Sequence, residues 1–236
     1  MAQPQQASIR NRLLKALSPD DFGLLQPHLE PVDLHIRQMV AEPGSPLHHA
    51  VLPEDGIVSL LAQSADDRIE VGMVGREGMT GVAAAFGATH TPHALMCQAD
   101  GRAHRVDADA LRAAARTSGT LSGLLGRYLY FVTIQTAQTA YANASMNLEA
   151  RLARWVLMTH DRSDGFELSL THEFLSAMLG VRRPGVTTAT HVLEGAGMIR
   201  AERGRMTVVN RAKLEELADD AYGVAEAEYE RLIGAS

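Results

Sequence analysis

The apolar pattern of this chain changes period once, near Asp107, and that change limits what the chain can fold into. Before it, short apolar or alternating runs separated by Gly, Pro and Asp predict strands: Val32 to Ile36, His49 to Leu52, Ile57 to Ala62, Ile69 to Val74, Ala94 to Gln98 and Ala103 to Val106. Turn signals stand at Pro43-Gly44, Asp55-Gly56, Ala65-Asp66-Asp67 and Asp100-Gly101. Many short strands at such spacing predict a β-roll or jelly roll. After Asp107 apolar residues recur at helical steps. Helices are predicted over Asp107 to Ala115, over residues 118–144, and over Met146 to His160, with a break at Asn143-Ala144-Ser145. A helical start, Asn11 to Leu29, is interrupted at Ser18-Pro19-Asp20-Asp21, where Ser18 can cap, Pro19 suits the first turn and Asp21 completes a capping box.

The fold class is therefore α+β, divided into a β-roll over residues 1–117, a long helix over 118–144 and a helical C-terminal domain over 145–236. Of 236 residues 46% are hydrophobic and 21% charged, enough to bury a core. One cysteine, Cys97, excludes a disulfide framework, a Cys-rich zinc site and a four-thiolate iron–sulfur cluster. Met1 to Ala7 has no basic start or apolar run, and Arg127, Gln135 and Gln138 interrupt the apolar stretch Leu121 to Ala142, so a cytoplasmic protein with no membrane span is expected.

A net charge of −6 argues against a nucleic-acid partner only until its distribution is read. Residues 1–179 hold 14 basic and 19 acidic side chains, residues 180–213 hold 7 and 2, and residues 214–236 hold 1 and 7. The basic island consists of Arg182, Arg183, Arg200, Arg203, Arg205, Arg211 and Lys213, as in a small DNA-reading module on an acidic protein.

In the long helix Leu121, Leu124, Leu125, Tyr128, Phe131, Val132, Gln135, Thr139 and Ala142 trace one stripe. The stripe could pack on its own β-domain or form the seam of a two-helix dimer; we take the second, with Leu121 through Thr139 as the dimer interface.

Thr171 to Ile199 is the stretch richest in function. Thr171 can cap a helix whose Phe174, Leu175, Met178 and Leu179 face inward, and Gly180 permits the positive φ that ends it. A second helix follows at once, with Val186, Ala189, Val192 and Leu193 inward and Arg182, Arg183, Gly185, Thr187, Thr188 and His191 outward. Two helices joined by a short Gly turn make a helix-turn-helix, whose second helix enters the major groove. Arg can bond guanine O6 and N7 in parallel, and a Thr methyl can pack on thymine. The expected base readers are Arg182, Arg183, Gly185, Thr187 and Thr188. Met198 to Val209 alternates around Arg203-Gly204-Arg205, a basic-tipped wing, so the expected phosphate contacts are Thr171, His191, Arg203 and Arg205.

With these motifs the chain resembles the cyclic-AMP receptor protein and fumarate-nitrate regulator (Crp/Fnr) family. The resemblance is carried by Leu148-Glu149-Ala150-Arg151-Leu152-Ala153-Arg154-Trp155, by Leu175 to Gly180 and by Val186 to Ile199 with Leu193-Glu194 and Gly197-Met198-Ile199. More loosely, Asp55-Gly56-Ile57-Val58 and Val74-Gly75-Arg76-Glu77-Gly78 resemble the family's β-roll turns. The resemblance implies a winged helix-turn-helix regulator, a homodimer on a pseudo-palindromic operator, with double-stranded DNA and RNA polymerase as partners and no catalysis. It names no effector. Family members that bind cyclic AMP hold its phosphate with a Gly-Glu turn and an Arg-Ser pair; Gly81 to Ala94 contains neither Arg nor Ser, so no cyclic-AMP dependence is expected. At the family's three base-reading positions stand Arg183, Pro184 and Thr188, which implies an altered half-site.

Other motifs carry less. His90-Thr91-Pro92-His93, His48-His49 and His104 read as loop histidines, although a metal-dependent jelly-roll enzyme would use them; no metal and no cofactor is expected. Cys97 reads as a small core residue. Gly72, Gly75, Gly78 and Gly81 recur every third residue without the Lys-Ser/Thr end of a phosphate loop. A β-roll signalling module that contacts protein in place of DNA is the remaining alternative. The acidic end, Lys213 to Ile233, is expected as a helix that packs on the wing domain or on a second subunit.

Overall fold

The structure is a computed structural model that describes residues 3–63 and 68–234. Two short helices, α1 (Arg12–Lys15) and α2 (Pro19–Leu25), lead into seven strands: β1 (Glu30–Leu34), β2 (Met39–Ala41), β3 (His49–Pro53), β4 (Ile57–Gln63), β5 (Arg68–Val74), β6 (Ala94–Ala99) and β7 (Gly101–Asp107). They form two antiparallel sheets, β1-β7-β3 and β2-β6-β4-β5, closed on a small apolar core of Leu34, Val51, Val58, Leu95, Cys97 and Ala103. Every sequence-predicted strand is present, and β2, three half-buried residues too short for alternation to reveal, is added. The turn expected at Ala65-Asp66-Asp67 lies outside the described residues. Ser18 caps α2 as expected, but the Asp21 carboxylate bonds the hydroxyls of Ser118 and Thr120, not its own helix start.

Helix α3 (Ala108–Thr117) precedes the long α4 (Gly119–Ser145), and α5 (Leu148–Arg162) follows at Met146-Asn147, where Asn147 accepts from the Ala150 N–H at 2.9 Å. The dimer-seam expectation for α4 is corrected here. Leu121, Leu124, Leu125, Tyr128, Phe131, Gln135 and Thr139 are buried within the chain and Val132 is half-buried, because the stripe packs inside its own chain, mostly on the β-roll domain, with Phe131 against Tyr229 of the tail and Thr139 bonded by Arg154 of α5. The Tyr128 hydroxyl accepts from the Met79 N–H (2.9 Å) and donates to the Met79 carbonyl (3.0 Å), and Gln135 Oε1 accepts from the Met73 N–H (2.8 Å). An apolar stripe two domains could share satisfies the nearer one first, where no translational entropy is lost.

The C-terminal domain contains α5, β8 (Glu167–Leu168), α6 (His172–Leu179), α7 (Arg183–Gly195), β9 (Ile199–Glu202), β10 (Arg205–Val208) and α8 (Arg211–Ala218), with a small sheet ordered β8-β10-β9. Its core includes Leu152, Trp155, Val156, Leu175, Val186, Leu193 and Leu214, and continues into Ile57, Leu61, Met73 and Ala94 of the β-roll. The single helix expected over Lys213 to Ile233 is broken: α8 ends at Ala218, Gly223 takes φ +102, and α9 (Val224–Tyr229) runs back to α4. Asp219, Asp220 and Gly223 are poor helix residues, and this break lets both halves bury their apolar faces. Among the described residues no helix is long and apolar enough to cross a membrane.

Candidate nucleic-acid interface

Local chemistry sets the two-helix unit. The Thr171 hydroxyl accepts from the Phe174 N–H at 3.1 Å and starts α6. Gly180 ends it at φ +62, and a Cβ there would lie 2.9 Å from Ile69 Cδ1 of β5, so glycine is required both by conformation and by the closeness of the β-roll. Arg151 in α5 donates to the Leu179 carbonyl, a free acceptor at the end of α6, and so fixes the turn. Its place one turn into α5 was legible, its partner was not. Pro184 sits in the first turn of α7, where a missing N–H costs nothing.

Helix α7 presents Pro184, Thr188 and His191 outward, flanked by exposed Arg182 and Arg183. Three sequence assignments on this helix change. Val192, expected inside, is 48% exposed, while Thr190 is buried in its stead. Three- and four-residue steps admit either position, and the polar hydroxyl misdirected the choice. Gly185, expected as a base reader, is half-buried: a Cβ on it would come 3.1 Å from Leu148 Cδ2, so its smallness seats α7 on the start of α5. Thr187 is half-buried too, with His172 Nδ1 at 3.0 Å from its hydroxyl.

The wing is the β9–β10 hairpin with Arg203-Gly204 at its tip, Gly204 at φ +75. Arg182, Arg183, Arg200 and Arg203 are exposed and have no acidic partner among the described residues, whereas Arg205 pairs with Glu167 at 3.0 Å. Arg211 leaves the basic island altogether. It is held by Asp161 (2.7 Å), Glu215 (2.8 Å) and the Tyr222 hydroxyl (2.6 Å), and Lys213 donates to the Ala196 carbonyl. Thr171, His191 and Arg203 lie exposed in the same domain. The domain thus carries unpaired exposed arginines at the start of α7 and on the wing, together with a helix face of methyl, hydroxyl and imidazole groups, chemistry suited to phosphate and to base contact.

Residues 150–217 match the Crp-like helix-turn-helix domain family. This part of the chain is similar to Crp-like helix-turn-helix domains. The fold around it is similar to that of solved regulators over most of the chain. FixK2 from Bradyrhizobium japonicum aligns at TM-score 0.71 and 14% identity, over 82% of this chain and 99% of its own. A CRP/FNR-family transcriptional regulator from Thermus thermophilus aligns at 0.66 and 22%, over 82% and 100%. The c-di-GMP responsive global regulator CLP of Xanthomonas campestris aligns at 0.64 and 17%, over 81% and 99%. No curated protein matches by sequence. The resemblance to the Crp/Fnr family is thus borne out by the Crp-like domain and by the fold around it. The Crp-like match ends at residue 217, so α9 and the turn after it lie beyond it.

Proposed function

We propose that this protein is a cytoplasmic, sequence-specific DNA-binding transcriptional regulator of the Crp/Fnr type that works as a homodimer and needs no cyclic AMP. The reading is carried by one observation: four exposed arginines, Arg182 and Arg183 at the start of α7 and Arg200 and Arg203 on the wing, stand without acidic partners among the described residues of a Crp-like domain. Arg183 and Thr188 would read bases, and Arg203 and His191 would meet phosphate.

A second copy fits the outer face of α4, not the stripe chosen from sequence. Tyr130, Thr133, Ala137, Ala140 and Ala144 are exposed and alternate three- and four-residue steps, the repeat of a two-helix seam. Tyr130 is 54% exposed, and Phe86, 47% exposed, lies beside Gly126 on the same helix. Independence from cyclic AMP is supported by Gly81 to Ala94, which offers a phosphate no guanidinium and no serine, and by Tyr128, whose buried ring fills the space between α4 and the Gly78 turn.

Selection of bound fragments from a random pool of duplex DNA tests the reading. The expected product is a pseudo-palindrome with half-site centres about 34 Å apart, the spacing two symmetric reading helices need. Enrichment of no sequence at low salt overturns it.

A further inference from the structure

The turn Gly75–Gly78, noted in the sequence only as a β-roll turn, is where four parts of the chain meet. Gly78 N–H closes it on the Gly75 carbonyl at 3.1 Å. From α5, Arg162 donates its Nε to Glu77 Oε1 at 2.8 Å, with both side chains about nine-tenths buried. From the tail, the Tyr229 hydroxyl donates to the Glu77 carbonyl at 2.7 Å. From the N-terminus, Arg12 N–H donates to the Arg76 carbonyl at 2.6 Å, and its guanidinium lies over the Tyr229 ring at 4.7 Å. From α4, Tyr128 comes so close that a Cβ on Gly78 would collide with its ring; one on Gly75 would lie 2.7 Å from Arg162 Cγ.

Two of these grips bear on the Crp-like domain, one from α5 inside it and one from the tail that follows it. Arg162 closes α5, which packs against α8; Tyr229 follows α8 by one short connection. The tail is firmly seated: Ala225, Tyr229 and Ile233 are buried, Tyr229 meets Phe131 edge-on at 5.0 Å, and Arg127 donates to the Leu232 carbonyl at 2.8 Å. The two grips stand beside the shared apolar core and the Trp155–Glu70 hydrogen bond, which hold the same boundary without the directional constraint of a buried ion pair. A buried ion pair adds little net stability, so its geometry is the more telling property.

We propose that Glu77 is a positioning residue for DNA reading: through its carboxylate on Arg162 and its carbonyl on Tyr229 it fixes the Crp-like domain in one orientation on the β-roll of the same chain. The consequence for operator recognition rests on the regulator reading above; the orientation itself does not. Reading-head geometry is then set by contacts within the chain.

Spin labels at Ala113→Cys in α3 and Glu216→Cys in α8, both exposed, report the orientation, since buried Cys97 takes no label. Labelled full-length chains diluted into unlabelled ones give the intrachain distance alone. The parent should show one narrow distribution, and Glu77→Gln and Tyr229→Phe should broaden it about twofold or split it. Tyr229→Phe keeps the ring on Phe131 and carries the test if Glu77→Gln does not fold. On operators with one base pair inserted between half-sites, the parent should lose about tenfold in affinity and the variants about threefold or less, because freed heads tolerate a wrong spacing. A parent-like distribution with a parent-like spacing penalty, whatever the melting temperature, overturns the proposal. If the parent binds no DNA at low salt, the regulator reading fails and the distance distributions still decide the role of Glu77.

Discussion

Trp155 of α5 donates its indole N–H to the carboxylate of Glu70 in β5 at 2.8 Å, across the boundary between the Crp-like domain and the β-roll. The same carboxylate accepts from the Ser59 hydroxyl at 2.6 Å. Burial pushes the Glu70 carboxyl up to about 7, although Ser59, Trp155, Arg154 and Arg162 all pull it down. A folded-state value above the unfolded one means that the native protein holds its proton longer. The associated stability is complete below the ordinary carboxylate range and is lost as pH rises to about 7. Glu70→Gln should therefore be more stable than the parent at pH 8, by on the order of 1 to 3 kcal/mol, and much like it at pH 4. Melting curves of both proteins across that range check this, and parallel pH profiles would refute it.

Base reading and phosphate contact separate by their salt dependence. Arg183→Ala should cost about 1 to 3 kcal/mol and relax the preference at one base pair. Arg203→Ala should weaken binding on all sequences and reduce the salt slope by about one. Arg205→Ala should do less, because Glu167 already neutralises that guanidinium. Binding isotherms at several salt concentrations, on the selected operator and on single-base variants, measure all three. An equal loss for Arg183→Ala on every sequence would make that residue a phosphate contact.

The subunit contact is expected on the outer face of α4. Tyr130→Arg should raise the dimer dissociation constant more than about tenfold, with about 2 kcal/mol lost at an aromatic anchor. Sedimentation equilibrium reads the change. A dimer indifferent to Tyr130→Arg would place the contact elsewhere.

Nucleotide binding has a direct calorimetric test. Cyclic AMP titrated into the protein should give no binding heat. Tyr128→Phe should destabilise the fold by about 1 to 3 kcal/mol, because the buried Met79 N–H loses its acceptor. Tight nucleotide binding by the parent would refute the first expectation, and an unchanged melting temperature the second.

The fold was legible wherever a local period or a turn residue dictated it. The strands from His49 to Val106, the Thr171 cap, the Gly180 turn and the wing follow from alternation, capping chemistry and positive φ. What stayed hidden is what depends on contacts between elements distant in sequence. Nothing near Tyr128 says that its stripe meets its own β-roll, and nothing near Gly185 says that Leu148 lies against it. Of the partners of Arg211 only Glu215, four residues on, could be seen in the sequence; Asp161 and Tyr222 lie 50 and 11 residues away. Charge clustering located the basic face of the helix-turn-helix but could not tell a solvated arginine from a bonded one.

The tail also sets how the molecule would approach a polyanion. The tail runs back to α4, where Glu228 pairs with Arg231 and Glu230 with Arg12, while arginines free of acidic partners among the described residues stand on α7 and the wing. This unpaired positive charge is thus carried by the helix that would read DNA and by its wing. In the field of a duplex such charge is drawn toward the DNA first, so a chain of net charge −6 would still encounter DNA productively, and faster as ionic strength falls.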